Sequence, residues 1–169
     1  MKYLLILLSL VTLSACNKDV AGGGACSLGN QAYIFNQGGA KFALPNAFTP
    51  NGDGRNDYFR PISSTGLTNL SMTITDKGGN VVFRTIDLYT QGWDGKNSGY
   101  LLESGKYAVN FQFTTVNGDH VNQSLCIALL AYSAANCIPR VMGETYYFGD
   151  QFDPVTLQPI YATAENFCP

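Results

Sequence analysis

Charge is scarce in this chain. Only 13% of residues are Asp, Glu, Lys or Arg, and the formal net charge is -2. No run of Lys or Arg is present, which removes nucleic acid as a partner and removes charge-driven attachment to anionic lipid. There is a single histidine, His120. It sits just beyond Asn117-Gly118, so it reads as a solvated residue near a hairpin tip. No CxxC, G-x-S-x-G, H-E-x-x-H or glycine-rich phosphate loop occurs. The usual zinc, serine-nucleophile and nucleotide sites therefore have no starting point. Acidic residues such as Asp87 and Asp94 are not set apart from ordinary surface charge. Beyond the first residues, no stretch carries the 3.6-residue apolar period of an amphipathic helix.

What the chain does have is Tyr, Phe, Gly, Thr and Asn in abundance, the profile of a β-rich extracytoplasmic protein. Its first residues read as a targeting segment. Lys2 supplies a positive start, and Tyr3 to Leu13 is apolar but too short to cross a hydrocarbon core of roughly 30 Å. The segment ends in Leu13-Ser14-Ala15-Cys16, which looks like a bacterial lipobox. On that reading residues 1–15 are a lipoprotein signal peptide and Cys16 is the lipidated first residue of the mature chain. Two or three acyl chains would hold it at a membrane durably. The expected location is the outer membrane, on its periplasmic or surface face. Residues 16–25 (CNKDVAGGGA) form a flexible tether, because three consecutive Gly do not hold one conformation cheaply.

Five cysteines are present. With Cys16 assigned to lipid, Cys26, Cys126, Cys137 and Cys168 remain. An even number of thiols in an exported chain suggests two disulfides. Three connectivities are open. The preferred one joins Cys26 to Cys126 and Cys137 to Cys168, the second bridge tying the C-terminal tail into a loop.

Leu70, Met72 and Ile74 alternate with Ser71, Thr73 and Thr75, the period of a half-buried strand. Asp76 to Asn80 supplies a turn. Val81 and Phe83 then alternate with Val82 and Arg84, so residues 70–85 read as a hairpin. A second hairpin places Tyr107, Val109, Phe111 and Phe113 on one face and Asn110, Gln112 and Thr114 on the other. It turns at Asn117-Gly118 and returns through Val121, Leu125, Ile127 and Leu129. Shorter strand candidates lie at 41–44, 57–62 and 99–103. Strands of this kind with turns between them predict an antiparallel β-sandwich over residues 26–132. Residues 133–169 differ. They carry Pro139, Pro154, Pro159 and Pro169 and the aromatic run Tyr146-Tyr147-Phe148. They read as an extension of one or two further strands whose aromatics cover the sandwich core.

Four segments occur in a telling order: LPNAFTPNGDGRNDYFRP (Leu44 to Pro61), GGNVVFRT (Gly78 to Thr85), GWDGKNSG (Gly92 to Gly99) and LLESGKYAVNFQFT (Leu101 to Thr114). Together, over about Lys41 to Tyr132, they resemble the gliding-motility-associated C-terminal domain of Bacteroidota, the type B sorting domain of type IX secretion. The resemblance implies an Ig-like sandwich of about seven strands attached to secreted or surface proteins. In that family the first hairpin turn usually carries an aromatic and an Arg, whereas here it reads Asp76-Lys77-Gly78-Gly79. The family unit also normally ends its chain behind a large passenger, whereas here residues 133–169 follow it.

The segment FTPNGDGRNDYF (Phe48 to Phe59) admits two readings. Asn51, Asp53 and Asp57 offer hard oxygen ligands at alternate positions, with the Arg55 carbonyl between them, a set that would suit Ca²⁺. It is not an EF-hand, because Arg55 stands at a ligand position and Ile62 where the closing Glu would be. A calcium shell would need help from elsewhere, with Asp94 the nearest candidate. The other reading is structural: Pro50 to Gly54 are turn formers whose Asn and Asp side chains bond nearby backbone N–H groups. Phe48 and Phe59 would then pin the two ends in the core, Trp93 would plug the core, and Asp94 would cap a turn. The expected function is a lipid-anchored, non-catalytic envelope module for adhesion, assembly or secretion and gliding, with a protein or glycan partner. The alternative is a small glycan-active enzyme on a β-sandwich.

Overall fold

The structure is a computed structural model that describes residues 26–29, 32–87, 92–133, 135–141, 143–158 and 162–169. Cys16, the signal segment and the tether lie outside the described residues. The strands are β1 (Tyr33–Gln37), β2 (Ala40–Leu44), β3 (Ala47–Phe48), β4 (Ile62–Thr65), β5 (Leu67–Thr75), β6 (Val81–Thr85), β7 (Lys96–Asn97), β8 (Tyr100–Leu101), β9 (Gly105–Thr115) and β10 (His120–Leu129). They form a three-stranded sheet in the order β1-β2-β4 and a five-stranded sheet in the order β3-β10-β9-β5-β6, with β7-β8 as a separate ribbon. The chain is all-β, as its alternating patterns predict. The strands are more numerous than the expected seven because three of the ten are two-residue pieces.

The two long hairpins build most of the large sheet. Phe111 pairs with Met72 on one side and with Gln123 on the other. Leu70, Met72, Ile74, Val109, Phe111 and Phe113 turn inward and are buried. The small sheet faces them with Phe35, Phe42 and Leu44. Phe42 meets Phe113 edge to face at 5.2 Å, and Trp93 meets Tyr107 in the same way at 5.1 Å. Each aromatic taken fully out of water contributes on the order of 1.5–3 kcal/mol. Trp93 is fully buried, and its indole N–H donates to the Lys96 carbonyl at 3.0 Å.

Four details differ from the sequence reading. In β6 it is Val82 that is buried and Val81 that is exposed. A register shift between Ile74 and Thr75 places Val82 as the extra residue of a bulge, which turns Val82 inward while Phe83 still packs against the core. Residues 57–62 are not a strand: they hold one bridge, Phe59 to Trp93, before β4 begins. The candidate at 99–103 is reduced to the two residues of β8. The tail adds no strand among the described residues. It carries a parallel bridge, Ile138 to Phe167, and a 3₁₀ turn at Gly149–Gln151.

Without strands of its own among the described residues, the tail works as a cover. Ile138 and Phe148 pack with Ala47, Ala128 and Leu130 at the β3–β10 edge. Phe152 and Leu157 pack on Ala43, behind the small sheet. Cys26 is bonded to Cys126 and Cys137 to Cys168, with sequence separations of 100 and 31. The second bridge closes the tail on itself. Replacing both Cys137 and Cys168 by Ser should lower unfolding stability by about 3–4 kcal/mol, the chain-entropy value for a loop of that length. Urea unfolding of the variant measures it, and an unchanged midpoint would mean that the apolar packing alone holds the tail.

Candidate functional site

The segment from Phe48 to Phe59 is an Ω-like loop held by its own side chains. The Thr49 N–H donates to the Asn56 carbonyl at 2.9 Å and closes the loop. Phe48 and Phe59 are both buried, their ring centroids 6.1 Å apart. Between these pins the side-chain oxygens serve the backbone. The Asp57 carboxylate accepts the Gly52 N–H at 2.6 Å on one oxygen and the Gly54 N–H at 2.8 Å on the other. Asn51 Oδ1 accepts the Asp53 N–H at 3.0 Å, and Asp53 Oδ1 accepts the Arg55 N–H at 2.8 Å. Gly52 and Gly54 take φ of 80° and 85°, the left-handed region where a Cβ is costly. That backbone path aims both amides at Asp57.

The geometry therefore distributes the predicted calcium ligands. Asn51 and Asp53 line a cavity of about 120 Å³ between the loop and the tail, together with Asn136 and Glu165. Asp57 is turned to its two amides. Asp94 accepts the Lys96 N–H at 3.1 Å and pairs with the Lys96 ammonium at 3.0 Å. Among the described residues no group of three or more His, Cys, Asp or Glu could hold a metal ion. His120 is exposed, with Nδ1 3.0 Å from Thr114 Oγ1.

Sequence reasoning missed what binds the tail to this loop. Glu165 Oε1 accepts the Thr49 hydroxyl at 2.7 Å and the Asn56 amide at 2.6 Å. Asn56 Oδ1 in turn accepts the Asp150 N–H at 3.0 Å. Just before the loop, the buried Asn46 side chain holds three segments together. Its Nδ2 donates to the Gly29 carbonyl at 3.0 Å and the Thr145 carbonyl at 2.9 Å, and its Oδ1 accepts the Tyr147 N–H at 2.6 Å. The one available signal was an Asn beside a Pro in an otherwise apolar stretch, LPNAF, which does not name its partners.

The tail carries a further contact on the large sheet. Lys106 of β9 pairs with Glu144, which also accepts the Tyr146 hydroxyl at 2.7 Å. The Lys106 contact holds the Glu144 carboxyl below its ordinary range, with Tyr146 adding to the effect. Burial, and next Glu144, push the Tyr146 hydroxyl up. A depressed carboxylate contributes stability above its unfolded pKa and loses it as pH falls through the folded value. Wild type should exceed Glu144→Gln in melting temperature at pH 7, with the gap closing below about pH 4. A gap that persists at pH 3 would assign the effect to something other than this carboxylate.

Asp57 and calcium give a second test of the loop. Losing the carboxylate removes two hydrogen bonds to exposed amides that water can then satisfy, a net loss of about 1 kcal/mol. Asp57→Ala should therefore melt lower than wild type, whether millimolar Ca²⁺ or EDTA is present. Wild-type curves with Ca²⁺ and with EDTA should coincide, and a calcium-dependent rise abolished in Asp53→Ala would restore the ion-binding reading.

Comparison with known proteins gives one family. The model of the type IX secretion signal domain, CHU_C, matches residues 42–127. That span runs from β2 into β10 and contains the whole Phe48–Phe59 loop. Among solved structures, the crystal structure of CopC from Methylosinus trichosporium OB3b is similar at a TM-score of 0.36 and 14% identity, over 59% of this chain and 93% of that one. No curated protein matches.

Proposed function

The chain belongs to the type IX secretion signal domain family, and on that premise we propose that it is a lipid-anchored, non-catalytic protein of the cell envelope. In this reading the family sandwich is a resident interaction module for secretion-linked assembly or adhesion, and its partner is an envelope protein or a glycan. The observation that supports it is the way the extension meets the family loop. Glu165 and Asp150 bond to Thr49 and Asn56, inside the span that the family model matches. Sandwich and extension thus make one unit, which suits a folded envelope protein more than a bare sorting tag trailing a passenger. The lipid at Cys16 would supply the attachment, and the Gly-rich tether would let the unit stand off the membrane.

The anchor is testable apart from the module. In cells fed an alkyne fatty acid, wild type should be labelled and should fractionate with the outer membrane. Cys16→Ser should lose the label and appear in the soluble fraction or as unprocessed precursor. Equal labelling of the two proteins would remove the lipid from this reading.

A further inference from the structure

The two sheets treat their outer faces differently. Behind the small sheet Ala43 is buried under Phe152 and Leu157. At one end of the large sheet the outer face carries Lys106 and Ala128, and the tail covers them through Glu144 and Phe148. The Cys26–Cys126 disulfide comes next, since Cys126 pairs with Ala108 two residues further along β9. Beyond it the outer face is clad in amides and hydroxyls. Thr73, Asn110 and Ser124 stand in one row across β5, β9 and β10, and Ser71, Gln112 and Asn122 in the next. None of these six is buried, and none is charged.

An open sheet face in a water-soluble sandwich is ordinarily kept monomeric and solvated by Lys and Glu, whose charges also repel neutral ligands that would strip their hydration. Across β5, β9 and β10 these six positions carry no charge, Arg84 of β6 ends the first row opposite Thr73 at the sheet edge, and three of the side chains are linked to each other. Gln112 Nε2 donates to Asn110 Oδ1 at 2.9 Å, and Asn110 Nδ2 donates to Asn122 Oδ1 at 2.7 Å. The chain of amides fixes three long side chains in one orientation before any ligand arrives, which lowers the ordering cost of binding. Beside the disulfide lies a cleft of about 350 Å³ whose lining is largely apolar, with Tyr33, Leu44, Ala108 and Ile127 alongside Ser124 and the Cys26–Cys126 bridge. That volume lies in the range of small-ligand sites.

We propose that this face binds a neutral polysaccharide, laid across the Asn110-Gln112-Asn122 ladder with one end in the cleft beside the disulfide. A glycan chain is flat, uncharged and lined with hydroxyls that both donate and accept, as amides and hydroxyls do. An acidic polymer would meet only the edge residue Arg84 beside these rows, and a protein partner would meet no aromatic anchor among the six residues. The proposal deepens the module reading by naming its partner class. It is independent of Cys16: failed glycan binding with a labelled Cys16 would remove the glycan and leave the anchored module.

The test is electrophoresis of the purified full chain in nonionic detergent, through native gels containing galactomannan, xylan, hydroxyethylcellulose or alginate. Mobilities are taken relative to a plain gel. At least one neutral polysaccharide should slow wild type twofold or more, and alginate should not. The triple variant Asn110→Ala/Gln112→Ala/Asn122→Ala should migrate as in the plain gel. Asn122→Asp, a smaller change that keeps the side-chain shape, should lose most of the retardation if the triple variant melts below room temperature. No retardation in any neutral gel, retardation that survives these substitutions, or retardation by alginate alone would overturn the proposal. So would a doubled sedimentation mass that Asn122→Asp abolishes, since the face would then be joining two copies of this chain.

Discussion

One buried amide sets the assembly of this molecule. Asn46 is 4% exposed, yet every polar atom of its side chain is engaged. Its backbone is engaged as well: its N–H donates to the Tyr147 carbonyl at 3.0 Å, and its carbonyl accepts the Ala128 N–H at 2.8 Å. A primary amide taken from water without partners costs several kcal/mol, so it tolerates only an arrangement that supplies all of them. Those partners come from the N-terminal arm at Gly29, the tail at Thr145 and Tyr147, and β10 at Ala128. Three segments distant in sequence are thereby fixed against the start of β3. Apolar packing at the same edge is non-directional and would accept neighbouring registers, whereas the amide accepts one.

The Phe48–Phe59 loop depends on that fixed point. β3 enters the loop from Asn46, and its parallel pairing with β10 is only two residues long. So short a ladder would hold the loop weakly by itself. The loop compensates from within, through Asp57 on its glycine amides, and from outside, through Glu165 on Thr49 and Asn56. The oxygens that could have served an ion here serve the turn. A loop that satisfies its own backbone in this way holds its shape through its own side chains.

How much of this the sequence discloses follows from the range of each interaction. The hairpins β5–β6 and β9–β10 are legible because alternation and turn chemistry are local: Asn117-Gly118 and the run Asp76 to Asn80 say where the chain reverses. In the turn of the first hairpin, Asp76 accepts the N–H groups of Gly78 and Asn80. The even thiol count discloses that the tail is tied down. The Val82 bulge is not legible, since one inserted residue leaves the composition of β6 unchanged while turning Val82 rather than Val81 inward. β1 escapes notice because Tyr33 to Gln37 is short and its inward residue, Phe35, stands between partly exposed neighbours. The Gly38-Gly39 turn to β2 is its one local sign. The Asn46 and Glu165 contacts span roughly a hundred residues of chain or more in most cases, and no local pattern encodes such a pairing. The tail was therefore legible as aromatic and constrained, and illegible as a cover without strands.

The cover also decides which surfaces remain for contact. A sandwich offers two outer faces, and a tail can shield one of them and an edge. Here it is spent on the apolar ones: Ala43 behind the small sheet, and Ala47, Ala128 and Leu130 at the β3–β10 edge. Covering the edge strand also removes a template for strand addition, the usual hazard of an open sheet. What is left open is the amide and hydroxyl face of the large sheet, bounded by a disulfide at one end and by Arg84 on the edge strand. Had the tail lain there instead, the apolar edge would be exposed and the molecule would be prone to pair through β3. The placement of Ile138, Phe148, Phe152 and Leu157 thus makes the sandwich stable as a separate unit and, by the same packing, selects the amide face as the surface it presents.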